Sequence, residues 1–144
     1  MLTAKMTNAE ALGRLRAEPD RIRKAARNAA AYVLALARRN APKKSGDLRR
    51  GIVLSPFAEH TRYQGKAVYD VYFDDKMNDT FVKYSKAGKR YYYPASQEYG
   101  FRSATRAGEK SITGKYYMYA ASRTGRGGTE EIAQRMVEDV FSEP

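Results

Sequence analysis

The amino-acid sequence predicts an α+β domain: a long N-terminal helix and a C-terminal helix packed on an antiparallel sheet of about four strands. Three observations lead there. From Arg21 to Asn40, Ile22, Ala26, Ala29, Val33 and Leu36 fall on one stripe at helical spacing. Across the middle of the chain, short runs rich in Val, Tyr and Phe are separated by Gly, Pro and Asp, the pattern of strands and turns. Near the C-terminus Ile132, Met136, Val137, Val140 and Phe141 again mark one face of a helix.

The elements follow in order. Residues 1–18 read as a mobile helical lead-in with Ala9, Leu12, Leu15 and Arg16 at helical spacing, and residues 19–144 as a single domain. Pro19 interrupts the lead-in, and Asp20 is expected to cap the next helix by accepting backbone N–H bonds. About 20 residues at 1.5 Å each make that helix a rod of about 30 Å. Its alanines (25, 26, 29, 30 and 31) leave a thin surface on which another backbone can approach closely. Pro42 ends it by disfavouring helical geometry at Ala41, and Arg38 and Arg39 sit where the helix dipole favours positive charge. Ser45-Gly46 supplies a turn, and Leu48–Leu54 reads as a strand. Ala67–Phe73 reads as its antiparallel partner across a loose loop containing Pro56 and Gly65. Phe81–Ser85 and Arg90–Tyr93 flank a turn with Gly88, which predicts a hairpin. Pro94–Gly100 reads as a short helical turn closed by glycine. Residues 102–115, rich in Gly, Ser, Thr, Arg and Lys, read as a mobile loop. Tyr116–Ser122 is expected to pack, Gly125–Gly128 to break the chain, and Glu130 and Glu131 to open the final helix.

Composition narrows the function classes. At 144 residues the chain suits one domain with a modest core. The absence of cysteine removes thiol chemistry and cysteine-ligated zinc, and the single histidine, His60, leaves little for a zinc site or a histidine-dependent triad. No run approaches the roughly 20 apolar residues needed to cross a bilayer, and a cytosolic origin is expected. The net charge of +11 is unevenly spread. Residues 1–52 carry 13 Lys/Arg against 4 Asp/Glu, residues 53–128 carry 13 against 7, and residues 129–144 carry 1 against 5. A basic body with an acidic C-terminal helix favours contact with polyanions or head-to-tail contact between copies.

Several local patterns bear on chemistry. Asp74 and Asp75 are adjacent carboxylates, but neighbours in a strand point to opposite faces and no spaced ligand series accompanies them, so turn residues are the better reading. Gly108-Glu109-Lys110-Ser111 lacks the spacing of a phosphate loop. Gly125-Arg126-Gly127-Gly128 is a single copy of a sequence repeated in nucleic-acid tails and reads as a hinge. Twelve tyrosines with no tryptophan could stack bases, anchor a protein interface or pack sheets, and the latter two are preferred. Lys43, Lys44, Arg49 and Arg50 are candidates for a DNA path contacted through phosphates. Lys86, Lys89, Arg90, Arg102 and Arg106 are candidate loop contacts. No catalytic pair, cofactor site or metal site is expected.

Two groups of residues then carry a resemblance. Ala41, Pro42, Ser45, Gly46, Leu48, Arg49 and Ile52 follow the long helix, and Tyr93, Pro94, Glu98, Tyr99 and Gly100 come later. Tyr116–Ala121 and Ile132–Phe141 close the series. In this order they resemble siphophage head–tail joining or tail-completion proteins, also termed minor tail or neck proteins, typified by gene product ten of phage HK ninety-seven. The resemblance spans roughly residues 8–141. Asp74–Arg90 stands out from the family pattern as an added hairpin or long excursion, and Tyr119 replaces a proline frequent beside the terminal Ala. The resemblance implies a virion subunit that forms a homo-oligomeric ring, commonly six-fold, between the portal connector or adaptor and the tail-tube or tail-terminator proteins. It implies no enzymatic activity, no cofactor and no membrane, with Glu98-Tyr99-Gly100 as a structural corner. A small non-specific nucleic-acid-binding protein, using the same basic residues and tyrosines, is the alternative.

Overall fold

A computed structural model describes residues 8–55 and 69–142. Its class is α+β, with helices and small antiparallel ladders. Helix α1 (Asn8–Arg16) leads into α2 (Pro19–Asn40), a rod of 22 residues. A short helix α3 (Asp47–Gly51) precedes strand β1 (Ile52–Leu54), which pairs antiparallel with β2 (Val71–Phe73). A single 3-10 turn and helix α4 (Asn78–Phe81) follow, then the hairpin of β3 (Val82–Tyr84) and β4 (Arg90–Tyr92). Helix α5 (Tyr93–Tyr99) leads into a second hairpin, β5 (Gly100–Thr105) with β6 (Gly108–Thr113). Helix α6 (Tyr117–Ser142) runs 26 residues to the C-terminal end of the described chain.

Among the described residues, three separate two-stranded ladders stand in place of the expected four-stranded sheet. Helical turns separate them: the chain enters α4 before β3 and α5 between β4 and β5, so no ladder edge meets the next. The expected strand from Leu48 is a helical turn up to Gly51, with only Ile52–Leu54 extended. Leu48 and Ile52 explain it, since both are buried and four residues apart, a spacing that one helical turn brings to a single face. In the second strand only Val71–Phe73 is extended, and Ala67, Val68 and the Pro56–Lys66 connection lie outside the described residues. Asp20 does not cap α2. Glu18 holds the cap position without a side-chain bond, Pro19 occupies the first turn, and Asp20 pairs with Arg23 at 3.3 Å. The hairpin over 81–93 is present, with its turn closed by bonds from Ser85 N–H to the Lys89 carbonyl and from Gly88 N–H to the Ser85 carbonyl, both 2.9 Å.

The core sits where α2 ends. Leu36, Ala37, Ala41, Leu48, Ile52, Phe81, Tyr117 and Ala121 are buried together, with Val33, Val71, Phe73, Met77 and Tyr92 against them. Phe73 is its hub. Its ring meets Phe81, Tyr92 and Tyr117 edge to face at 5.9, 6.3 and 6.4 Å between centroids, the arrangement favoured by the ring quadrupole. Burying each such ring contributes about 1.5–3 kcal/mol. The Arg38 guanidinium ties the end of α2 to β1 by donating from Nε to the Ile52 carbonyl at 2.9 Å. At the far end of α6, Arg14 of α1 lies over the Phe141 ring at 5.4 Å.

The most consequential difference from the sequence reading is at Gly125–Gly128. These residues do not break the chain but lie inside α6, with Gly125 and Gly128 against α2. A Cβ at Gly125 would lie 3.1 Å from Val33 Cγ2 and 3.2 Å from Leu36 Cδ1. One at Gly128 would lie 2.3 Å from Tyr32 Cε1. With the buried Ala121, these two glycines form a small-residue stripe that lets α2 seat directly on the α6 backbone. The helical propensity lost at glycine, about 1 kcal/mol each, is offset by that packing.

The stripe makes opposite substitutions informative. A Cβ at Gly127 meets nothing within 4 Å, so Gly127→Ala should stabilise the protein by about 1 kcal/mol. Gly125→Leu should cost about 2–3 kcal/mol by wedging α6 from α2. Denaturant titration of the two variants should move the midpoint in opposite directions.

Candidate functional site

The corner where α5, the β5–β6 hairpin and α6 meet is built around one carboxylate. Glu98 is 6% exposed on α5. Its Oε2 accepts from Met118 N–H at 2.9 Å and its Oε1 from Tyr119 N–H at 3.0 Å. These are orphan donors of the first turn of α6, where the helix dipole also favours negative charge. The side chain thus caps a helix that begins nearly twenty residues later. Backbone bonds complete the joint, with Lys115 N–H donating to the Gln97 carbonyl at 2.9 Å and Tyr116 N–H to the Glu98 carbonyl at 3.1 Å.

Gly100 and Gly114 make the approach possible. Gly100 has φ 85°, and a Cβ there would sit 2.3 Å from the Ile112 carbonyl oxygen. A Cβ at Gly114 would sit 2.3 Å from the Glu98 carbonyl oxygen. Between them the chain forms a regular hairpin where the sequence suggested a mobile loop over 102–115. The ladder is reinforced by the Arg102–Glu109 cross-strand pair at 3.6 Å and by Thr105 Oγ1 donating to the Gly108 carbonyl at 2.7 Å. These polar cross-strand contacts are what composition alone does not show.

Tyr117 seals the joint from below. Its ring is buried and its hydroxyl donates to the Pro94 carbonyl at 3.0 Å. Burial, and secondarily the charge on Glu98, push its phenol well above the ordinary value. On the outer side, Tyr99, Tyr116 and Tyr119 stand 70%, 46% and 56% exposed. Tyr116 meets both of the others edge to face, at 6.4 Å in each case, and Arg123 lies over the Tyr119 ring at 5.8 Å. The tyrosines at 116, 117 and 119 form a visible cluster in the sequence, but the inward turn of Tyr117 and the pairing with Tyr99 come only from the fold.

The sequence-selected residues are spread over the α2–α3 segment, the β3–β4 hairpin, α5 and the β5–β6 hairpin. Pro42 and Leu48 bracket the exit from α2, with Leu48 in the core. In the turn, Ser45 Oγ donates to Asp47 Oδ2 at 2.7 Å, Gly46 has φ 79°, and Arg50 is held by Asp47. Arg49 folds back, its guanidinium donating to the Arg39 carbonyl at the end of α2 at 3.4 Å. Lys43 and Lys44 are exposed beside it. Lys86, Lys89 and Arg90 crown the β3–β4 hairpin, and Arg106 the β5–β6 turn, all exposed. None of Lys43, Lys44, Lys86, Lys89, Arg90 and Arg106 is held in an ion pair among the described residues. Asp74 accepts from Lys76 N–H at 3.0 Å as a turn cap, and among the described residues no group of acidic or histidine side chains gathers as a metal site.

Two outcomes follow from the buried corner. Glu98→Ala should cost about 2–3 kcal/mol, since two backbone donors lose a charged acceptor, and thermal melting will measure it. Stability should fall as pH rises past about 10, because the unfolded chain releases the Tyr117 proton there while the folded chain retains it, and the raised phenol of Tyr92 acts in the same direction. Tyr117→Phe should make that alkaline decline shallower in melts from pH 9 to 12, leaving the part due to Tyr92, at a cost of about 1 kcal/mol near neutrality.

Comparison with known proteins adds a family. No curated protein and no solved structure matches this chain. Residues 6–100 match the family model HK97-gp10-like, described as "Bacteriophage HK97-gp10, putative tail-component". The match starts just before α1 and closes at Gly100, taking in both sequence motifs but neither the β5–β6 hairpin nor α6. It is thus narrower at the C-terminal end than the sequence resemblance suggested. With most of its length matched, the chain belongs to the HK97-gp10-like family of phage tail components.

Proposed function

We propose that this protein is a non-enzymatic structural subunit of a tailed phage or prophage, acting in head–tail joining or tail completion. It assembles as a homo-oligomeric ring at the head–tail interface, between connector or adaptor proteins and the tail tube or terminator. It works by assembly, in the host cytoplasm and then in the virion, without a cofactor.

One observation carries the reading beyond family membership. The β5–β6 hairpin has six residues per strand, and nearly all of its described side chains are exposed. A two-stranded ladder alone is marginal in water, and its open edges invite pairing. The β3–β4 hairpin likewise presents uncompensated cations at its turn. Such elements reach their full burial when other subunits cover them, and the rigid α2–α6 pair gives them a fixed base. Membrane attachment is not part of the proposal: no described helix is long and apolar enough to cross a bilayer.

The second reading is non-specific nucleic-acid binding, favoured by the six free surface cations. In a ring around the channel the two are compatible, since phosphate contacts would accompany assembly.

Deleting the coding sequence from the phage that carries it should leave filled heads and unattached tails, with infectivity lost. Intact joined particles would refute the joining role. Replacing Lys86, Lys89 and Arg90 with Ala should change folding stability by less than about 0.5 kcal/mol each while lowering the yield of joined particles. If those particles form normally and only the salt-dependent affinity for duplex DNA falls, the nucleic-acid reading gains.

A further inference from the structure

We propose that the exposed tyrosine cluster at the α5–α6 corner is a self-association anchor, and that its partner is the acidic C-terminal half of α6 in a second copy of this chain. This rests on the ring-forming subunit read above and names the surface that would join its copies.

The first support is backbone conformation. Tyr116 has φ 47°, and it is the non-glycine residue with positive φ among the described residues. Its carbonyl accepts from Ala120 N–H at 2.8 Å, which makes it the N-cap of α6. Both roles suit Gly or Asn, and neither suits tyrosine. The capping bonds come instead from the Glu98 carboxylate, so the Tyr116 side chain gives the helix start nothing that a smaller residue would lack. What it does is place a third ring between Tyr99 and Tyr119 on the surface. A conformational cost spent on displaying an aromatic ring points to a use outside the monomer.

The second support is charge. The cluster is flanked by Arg123 and by exposed Lys115, and the carboxylate that reaches it, Glu98, is buried and spent on the backbone N–H groups of Met118 and Tyr119. Its complement lies on the same helix. Glu130, Glu131, Glu138 and Asp139 are exposed, and the ion pairs that engage the first two, with Arg126 and Arg135, are solvent-exposed i,i+4 pairs worth little. Tyr119 and Glu138 are 19 positions apart, about 28 Å along the helix. Two different patches so far apart on one rod cannot meet within a chain. Between chains they make a head-to-tail contact, the type that closes into rings.

The rings also argue against base stacking here. Their planes cross at 80° and 72°, so they offer edges and partial faces without a parallel slot for a base. Tyrosine and arginine over a desolvated centre are instead the usual anchors of a protein interface.

Sedimentation velocity of the full chain across concentration, at low and high salt, tests this. The expected result is salt-sensitive self-association. Tyr116→Asn should keep or raise the melting temperature and weaken association at least about tenfold. Tyr119→Ser should weaken it similarly. Arg123→Glu and the pair Glu138→Lys with Asp139→Lys should each weaken it, and the three changes together should restore it in part. A chain that stays monomeric at every concentration overturns the proposal, as does association that is indifferent to Tyr116→Asn or shows no rescue. Oligomers that survive these changes leave the ring reading intact and move the contact elsewhere. Loss of duplex DNA binding in Tyr116→Asn without any change in association assigns the cluster to nucleic acid.

Discussion

The buried carboxylate of Glu98 is the constraint around which the rest is arranged. It accepts from two backbone donors at the start of α6 and so fixes where, and in which direction, a 26-residue helix begins. Because Glu98 sits on α5, the same contact locks α5 to α6 and forces the intervening chain into a closed excursion, the β5–β6 hairpin. Gly100 and Gly114 are the two points where the backbones cross too closely for a side chain. Removing any of these would leave α6 without a fixed origin.

From that origin α6 runs along α2, and the fit between the two is set by absence of volume. Ala121, Gly125 and Gly128 present almost bare backbone to Tyr32, Val33 and Leu36. Close packing of this kind recovers dispersion contacts that a looser seam would forfeit. It also explains how a strongly hydrophilic chain holds together with a small core: the aromatic hub around Phe73 supplies the apolar centre, and the α2–α6 seam supplies rigidity. The three ladders among the described residues, each of two strands, add local order and depend on the helices for support.

Membership of a phage tail-component family gives these features a common sense. The proposed assembling role needs a stiff frame and unsatisfied edges. The frame here is the helix pair. The unsatisfied edges are two hairpins, a set of free cations and an outward tyrosine cluster held by the same corner that fixes the frame. In the proposed reading, stability and interaction share one joint: the inward face of the α5–α6 corner is satisfied by Glu98 and Tyr117, and its outward face carries the exposed tyrosines.

Much of this was legible in the residues because it follows from short-range rules. The end of α2 at Pro42, the turn at Gly88, the helical turn closed by Gly100 and the apolar face of the last helix are set by local sterics and periodicity. The order of Ala41–Ile52 and Tyr93–Gly100 carried the family. Other features depended on residues distant in sequence. Gly125–Gly128 reads locally as a break, and becomes helix only because α2 fills the space its side chains vacate. Leu48 reads as strand and becomes helix because Ile52 must share its face toward Phe81. The polar stretch from Arg102 to Lys115 reads as loop and becomes a hairpin because Glu98 pins its two ends together. Sequence by itself determined where the chain could turn and which family it joins. Tertiary structure decided which glycines are seams, which tyrosines face inward and which carboxylate is structural, because each of those depends on the surface that arrives from elsewhere in the chain.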